Sequence, residues 1–268
     1  YYNDGLLLPL DDYLKQYPTI WDAFPTEVRE ALRQDDGKIY TIPRIAGIFP
    51  QTINYRMDWL EALGMVEPRT LDEFRAFLQA VKDQDPGAIG KDKLIPFVPN
   101  RLSGADGLAL TWVEPIFAAF GVPWNAWVPS PQDPSKIVYA PTLPAFKDAV
   151  TYVRDLMKDG LLDQTYLVST ERGLFKYYAG TVGATTDWPQ FINLRREAIQ
   201  NAYPDAKPKL GYILGLKGPQ GVQGGPVLTP VITGDGLSMS LSISCSPAQV
   251  DAFFRLLNWQ WTDGYLLM

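Results

Sequence analysis

The sequence predicts an α/β architecture. Helices with explicit start and stop signals recur along the chain, short β-rich runs lie between them, and no repeat or low-complexity segment interrupts the alternation. The first clear helix starts at Thr70-Leu71-Asp72-Glu73, a capping box in which the Thr70 hydroxyl accepts from the Glu73 amide and the Glu73 carboxylate reaches back. Leu71, Phe74, Leu78 and Val81 follow at helical spacing. A second helix is expected over 143–158, with Pro144 in its first turn, Gly160 beyond its end and a stripe of Phe146, Val150, Val153, Leu156 and Met157. A third is expected over 169–178, ending at Gly180. The last begins at Ser246-Pro247-Ala248-Gln249 and carries Val250, Phe253, Phe254, Leu257 and Trp261.

Strand candidates fall at 38–42, 52–55, 181–185, 210–214 and 237–244. In the last of these, Leu237, Met239, Leu241 and Ile243 alternate with serines, the pattern of a half-buried strand. The stretch 215–230 reads as an exposed glycine- and proline-rich connector. Residues 124–144 hold five prolines and cannot form one regular element.

Composition excludes several functions. The 268 residues carry 24 basic and 30 acidic side chains, 24 − 30 = −6, with no histidine and one cysteine, Cys245. Without histidine there is no Ser-His-Asp triad, no Cys-His pair and no H-E-x-x-H zinc site. One cysteine excludes a disulfide framework, and Cys245 is expected to pack as a small hydrophobe. The acidic surplus argues against nucleic acid. The apolar runs at 6–10 and 265–268 are too short to cross a membrane. The chain opens in mid-domain sequence without a signal peptide and stops in an apolar segment, so it reads as a piece of a longer protein.

Two glycine loops mimic phosphate sites without the required spacing. Residues 87–92 lack the gap and the Ser/Thr of a Walker loop, and 218–225 lacks a dinucleotide fingerprint, so no cofactor is expected. Any one of the 30 acids reads first as a solvated helix or turn residue, although a carboxylate pair for glycoside hydrolysis remains an alternative. The aromatic residues point further. Trp, Tyr and Phe make up 13% of the chain, and Trp112, Trp124, Trp127, Tyr139 and Trp188 stand outside amphipathic stripes. An aromatic ring suits the C–H face of a pyranose, worth about 0.5–1.5 kcal/mol beyond area burial by analogy with aromatic pairs. Trp21, Trp59, Trp259 and Trp261 are assigned to packing. Trp188 follows a strand candidate and precedes Pro189, so it is expected at the C-terminal rim of the sheet, where open α/β folds bind ligands. Asp187 either caps the helix opened there or accepts from vicinal hydroxyls.

The order of segments resembles the extracellular solute-binding proteins, family 1, of ABC importers, especially the branch of lipoprotein-type and alginate- or oligosaccharide-type binders. The resemblance is carried by Gly5-Leu6-Leu7-Leu8-Pro9-Leu10-Asp11-Asp12, Asp36-Gly37-Lys38-Ile39-Tyr40-Thr41-Ile42-Pro43 and Tyr55-Arg56-Met57-Asp58-Trp59-Leu60-Glu61-Ala62-Leu63-Gly64. It continues through Pro68-Arg69-Thr70-Leu71-Asp72-Glu73-Phe74, Ala118-Ala119-Phe120-Gly121, Gly160-Leu161-Leu162-Asp163 and Gly180-Thr181-Val182-Gly183-Ala184. Leu257-Asn258-Trp259 with Asp263-Gly264-Tyr265 completes it.

The resemblance implies a two-lobed, type II periplasmic binding protein-like fold that closes on a sugar and passes it, unaltered, to membrane permease subunits. Lobe I would hold 1–47 and 225–268 and would be incomplete; lobe II would hold 48–224. Crossings would lie near 46–50 and in 215–230. The location implied is extracytoplasmic, periplasmic or at the cell surface, with membrane attachment only through a lipid anchor on a segment before Tyr1. Trp188 stands where the family's sugar binders place an aromatic residue, although Ala184 replaces the usual Met. Arg44 and Gln51 would flank the hinge and face the cleft, and Asn100, Arg101, Trp112 and Trp124 lie where lobe II reaches ligand. The calcium loop of alginate-type relatives maps onto 85–93, but Gly87 and Ile89 stand where oxygen ligands are needed, so no metal is expected there. The alternatives are a glycoside hydrolase or lyase, and a binder of peptides or charged solutes using Arg44 and Arg101.

Overall fold

The computed structural model describes residues 1–43, 51–100, 113–169, 171, 173–225 and 239–264. The chain divides into two compact units: Tyr1–Ile48 with Pro230–Met268, and Phe49–Thr229.

The first unit is helical. Helices α1 (Asp11–Gln16), α2 (Pro18–Asp22), α3 (Thr26–Ala31) and α10 (Pro247–Trp261) enclose Leu10, Leu14, Ile20, Phe24, Ile39, Ile42, Val250, Phe254 and Leu257. The α10 ring of Phe254 stacks on both Tyr13 and Tyr17, at 5.3 and 5.5 Å. The expected box closes α10: the Gln249 amide donates to Ser246 Oγ at 3.4 Å, and the Ser246 amide to Gln249 Oε1 at 2.8 Å. Cys245 packs half-buried against this core.

Two strands expected here do not form. Residues 38–42 make only the single bridges Arg33↔Ile39 and Ile42↔Met239. Of 237–244, Leu237 and Ser238 lie outside the described residues, and the rest makes one bridge each at Met239 and Ser242. The reason is local: Ser242 Oγ accepts the Ser244 amide at 3.2 Å, so the side chain competes with the ladder. Ile243 is consequently 58% exposed. Trp259, expected in packing, is 41% exposed because it lies off the buried Val250–Phe254–Leu257 stripe.

The second unit is α/β. Strands β1 (Thr52–Arg56), β2 (Ile95–Pro99), β5 (Val182–Asp187) and β6 (Leu210–Ile213) form one sheet in the order β2-β5-β1-β6. β2 runs parallel to β5, and β1 runs antiparallel to both β5 and β6. The start of β1 therefore meets the ends of β2 and β5, with Thr52 opposite Asp187. Helices α4 (Met57–Ala62), α5 (Leu71–Gln84), α6 (Glu114–Ala119) and α7 (Pro144–Lys158) share the main core with the sheet. On α5 the capping box forms as read, with Glu73 N to Thr70 Oγ1 and Thr70 N to Glu73 Oε2 both 3.1 Å. Leu71, Phe74, Phe77, Leu78 and Val81 are buried, each contributing about 1.5–3 kcal/mol by leaving water. On α7 the buried line is Ala149, Val153 and Leu156, while Val150 is 36% exposed.

A smaller core under α8 (Gly173–Tyr178) and α9 (Ile192–Ala202) holds Val98, Leu174, Tyr177, Val182 and Ile199. Helix α8 starts later than expected, at Gly173; Thr170 and Arg172 lie outside the described residues. Gly173 permits its close seat on β2, since a Cβ there would stand 2.3 Å from the Pro99 carbonyl oxygen. Over its described part, 215–225, the connector is exposed at most positions, as read, but Leu216, Gly218 and Gly224 are buried. A Cβ on Gly218 would stand 1.9 Å from the Ala119 carbonyl oxygen, so the glycines serve backbone approach. The proline-rich 124–144 resolves into a hairpin of β3 (Trp127–Pro129) and β4 (Ile137–Tyr139) and a 3₁₀ turn. Among the described residues no helix is long and apolar enough to cross a membrane.

Candidate functional site

Five of the eight sequence-predicted site residues are described, all in the second unit; Arg44, Arg101 and Trp112 lie outside the described residues. Gln51, Asn100, Asp187 and Trp188 converge because three chain segments meet at one sheet rim: Gln51 precedes β1, Asn100 follows β2, and Asp187 ends β5 ahead of Trp188. Trp124 is held elsewhere in the unit. It stacks on Phe146 at 5.6 Å and meets Phe117 edge-on at 5.6 Å.

Asp187 is fully buried and does not cap a helix. Its Oδ2 accepts from Arg195 Nε at 2.5 Å and its Oδ1 from Asn100 Nδ2 at 3.4 Å. Its carbonyl accepts from the Thr52 hydroxyl at 3.1 Å, and the Asn100 amide donates to Thr186 Oγ1 at 3.1 Å. Arg195, itself buried, brings α9 down onto the end of β5, and its guanidinium also donates to the Tyr178 hydroxyl. A buried carboxylate is tolerated only with such a partner. Among the described residues the pair leaves the rim without net charge.

Trp188 does not open α9 directly. A 3₁₀ turn, Pro189–Phe191, intervenes, and its amide at Phe191 donates to the Trp188 carbonyl at 3.2 Å. The indole is half-buried, and its ring centroid lies 6.0 Å from that of Phe191.

Several buried polar atoms have no hydrogen-bond partner among the described residues: Gln51 Oε1, Asn100 Oδ1, Asn54 Nδ2, Thr185 Oγ1, Tyr177 Oη and Trp124 Nε1. Each costs about 1–3 kcal/mol if it stays unpaired. Gln51 and Asn100 present acceptors at the rim, and Asn54 and Thr185 face each other across β1 and β5. Burial holds the Tyr177 phenol protonated, far above its ordinary value. The turn before α8 is tied by Lys176 Nζ to Asp163 Oδ2 at 2.5 Å. Burial pushes the Asp163 carboxyl up, but hydrogen bonds from Lys176 and Thr165 outweigh it and leave the group below its ordinary value.

Sequence reasoning missed Arg195, Thr52, Thr186 and Tyr178. Arg195 left a trace, because it shares the buried line of α9 with Ile199 four residues on, an unusual place for a charge. The loop at 85–92 is closed by protein groups: Asp85 accepts from the Ile89 amide at 2.9 Å and the Gly90 amide at 2.7 Å. Among the described residues no group of three or more Cys, Asp or Glu side chains gathers to hold a metal. A separate cleft of about 590 Å³ lies beside the edge strand β6, lined by Met57, Arg69, Leu210, Tyr212 and Gln223, apart from the predicted residues.

A family model described as bacterial extracellular solute-binding protein matches residues 1–259. Lipoprotein LipO of Bacillus subtilis is 24% identical over 81% of this chain and 42% of its own length. The polygalacturonan/rhamnogalacturonan-binding protein YtcQ of the same organism is 26% identical over 82% of this chain and 41% of its own. The chain thus spans less than half the length of these relatives. The solved structure of the Streptococcus pneumoniae ABC-transporter substrate-binding protein FusA with kestose superposes with a TM-score of 0.64 at 20% identity, over 96% of this chain and 52% of that one. The fold is therefore of the type II periplasmic solute-binding kind, as the segment order implied. These relatives are binding proteins rather than enzymes.

Proposed function

We propose a function from one premise: this chain belongs to the bacterial extracellular solute-binding protein family. It is the ligand-holding part of an ABC importer's receptor, working outside the cytoplasm. It takes a neutral sugar or oligosaccharide and releases it unaltered to permease subunits, with lobe I as 1–47 and 225–268 and lobe II as 48–224. A lipid anchor N-terminal to Tyr1 tethers it to the membrane. FusA, solved with kestose, supports a neutral sugar, while YtcQ, named for polygalacturonan and rhamnogalacturonan, supports a carbohydrate ligand only, since those chains carry carboxylates.

One observation carries the reading. At the rim of β5 the Trp188 indole stands beside a charge-neutralised Asp187–Arg195 pair and the unpartnered amide oxygens of Asn100 and Gln51. A neutral polyhydroxylated ring matches each part. Its C–H face lies on the indole and its hydroxyls donate to the two amide oxygens, which would otherwise stay unpaired. Among the described residues an anionic or cationic solute finds no uncompensated charge at this rim. Arg44, Arg101 and Trp112, which lie outside the described residues, would add donors and a ring to the lining, whereas Trp124 belongs to a separate aromatic cluster.

Thermal stabilisation of the protein by a glycan panel, followed by product analysis, tests the proposal. Stabilisation without turnover is expected, and Trp188→Ala loses most of the affinity while melting as before. Release of shortened sugars makes the protein a hydrolase or lyase instead. Salt-sensitive binding of peptides or anions in place of sugars assigns it to charged solutes.

A further inference from the structure

The two edges of the four-stranded sheet differ. At the β2 edge, Pro96 and Pro99 have no amide proton, and the Asp163 amide donates to the Phe97 carbonyl at 2.9 Å, so a further strand finds little to pair with. The β6 edge has no such device: Leu210-Gly211-Tyr212-Ile213 holds no proline and no charged residue. Which backbone groups β6 turns outward follows from its ladder. Ile53 and Tyr55 pair with Ile213 and Gly211, and one step on in the same register the Met57 amide donates to the Lys209 carbonyl at 2.8 Å. Hydrogen-bonded and non-hydrogen-bonded pairs alternate along an antiparallel ladder. Gly211 and Ile213 therefore direct their amides and carbonyls at β1. Leu210 and Tyr212 direct theirs away from it, where no backbone bond meets them among the described residues.

The cleft of about 590 Å³ runs along β6 from Leu210 to Leu214, with 67–69 and 223–224 as its walls. Walled in this way, the edge suits one added strand, whereas the edge of a second sheet would bring walls of its own. Tyr212 and Leu214 are 44% and 54% exposed there. Of the two charged wall residues, Glu67 already accepts the Tyr55 hydroxyl at 2.8 Å, while Arg69 is exposed and makes no ion pair among the described residues. Amides and carbonyls freed at every second residue are matched by the backbone of an extended chain, and a free guanidinium by a carboxylate. We propose that this cleft docks an extended, carboxylate-bearing peptide segment of a partner protein, which adds to β6 as a fifth strand and sets an acidic side chain against Arg69. The proposal does not rest on the sugar reading, because the cleft shares no residue with the rim.

Amide NMR spectra of the full chain, titrated with blocked hexapeptides of alternating valine and glutamate or alternating valine and lysine, test this. The glutamate peptide slows hydrogen exchange at the Leu210 and Tyr212 amides and leaves Gly211 and Ile213, which already pair, as they were. The lysine peptide binds more weakly. Arg69→Gln weakens the glutamate peptide about 2–5-fold, the worth of one exposed ion pair. Tyr212→Pro deletes an amide that the sheet does not use, so this variant melts close to wild type and no longer binds. Equal affinity for the two peptides, binding of neither, or unimpaired binding by Tyr212→Pro overturns the proposal. A Tyr212→Pro variant that melts far below wild type overturns it too, because that amide would then belong to the ladder. So does a wild-type mass of two chains that Tyr212→Pro returns to one, which gives the edge to a second copy. None of these results touches the receptor reading, which the glycan panel decides separately.

Discussion

Replacing Arg195 by methionine isolates the element on which the rim depends. The substitution keeps an unbranched side chain of similar reach but removes the partner of a carboxylate that is 0% exposed. Removing one member of a buried ion pair leaves an uncompensated charge and costs about 3–5 kcal/mol. The stacking of the guanidinium between Phe191 and Tyr178 is lost as well, at about 0.5–2 kcal/mol per ring. For a unit of this size each kcal/mol lowers the melting point by about 2–4 °C, so the ion-pair loss alone predicts a drop of roughly 6–20 °C. Circular dichroism melts of wild type, Arg195→Met, Asp187→Asn and the double variant supply the measurement. The double variant should recover part of the loss, because a neutral carboxamide in place of the Asp187 carboxylate leaves no charge to compensate. A melting point for Arg195→Met within about 2 °C of wild type, or a double variant as unstable as the sum of the singles, would show that the pair does not hold α9 on β5.

Three further outcomes follow from other elements. Burial pushes the Glu114 carboxyl, at the start of α6, up to about 7, while the unfolded chain keeps it near 4.5. The unfolded state then binds fewer protons between those values, so stability falls as pH rises from about 4.5 to about 7, and urea midpoints of Glu114→Gln should lack that decline. Gly218→Ala forces a methyl to 1.9 Å from the Ala119 carbonyl and should cost about 1–3 kcal/mol or more in urea unfolding, whereas Gly225→Ala, with nothing within 4 Å, should be silent. Thr70→Ala opens the α5 capping box and should cost about 0.5–2 kcal/mol by the same measurement; an unchanged midpoint would mean water replaces the cap.

Local signals proved readable wherever the cause is local. The boxes at Thr70 and Ser246 close as written, and α5, α7 and α10 start where their caps and prolines place them. β1, β5 and β6 sit within a residue or two of the stretches that read as strands. The failures have two physical origins, one in partners distant in sequence and one in a local side-chain competitor. Residues 38–42 and 239–244 have strand composition but find only single bridging partners, and a Ser242 side chain takes up the neighbouring amide. Gly218 and Gly224 look like parts of a loose connector until Ala119 is placed against them.

By itself the sequence determined the α/β alternation, the starts of α5, α7 and α10, the absence of imidazole chemistry and of disulfide frameworks, and the placing of Trp188 just beyond a strand, because each rests on composition, neighbouring residues and backbone preference. Only the tertiary structure decided that Asp187 is taken up by Arg195 and Asn100 and that the Arg195 guanidinium lies between Phe191 and Tyr178. Those properties arise where β1 starts, β2 and β5 end and two helices close over them, and charge pairing, burial and ring contact exist only once separate segments are packed.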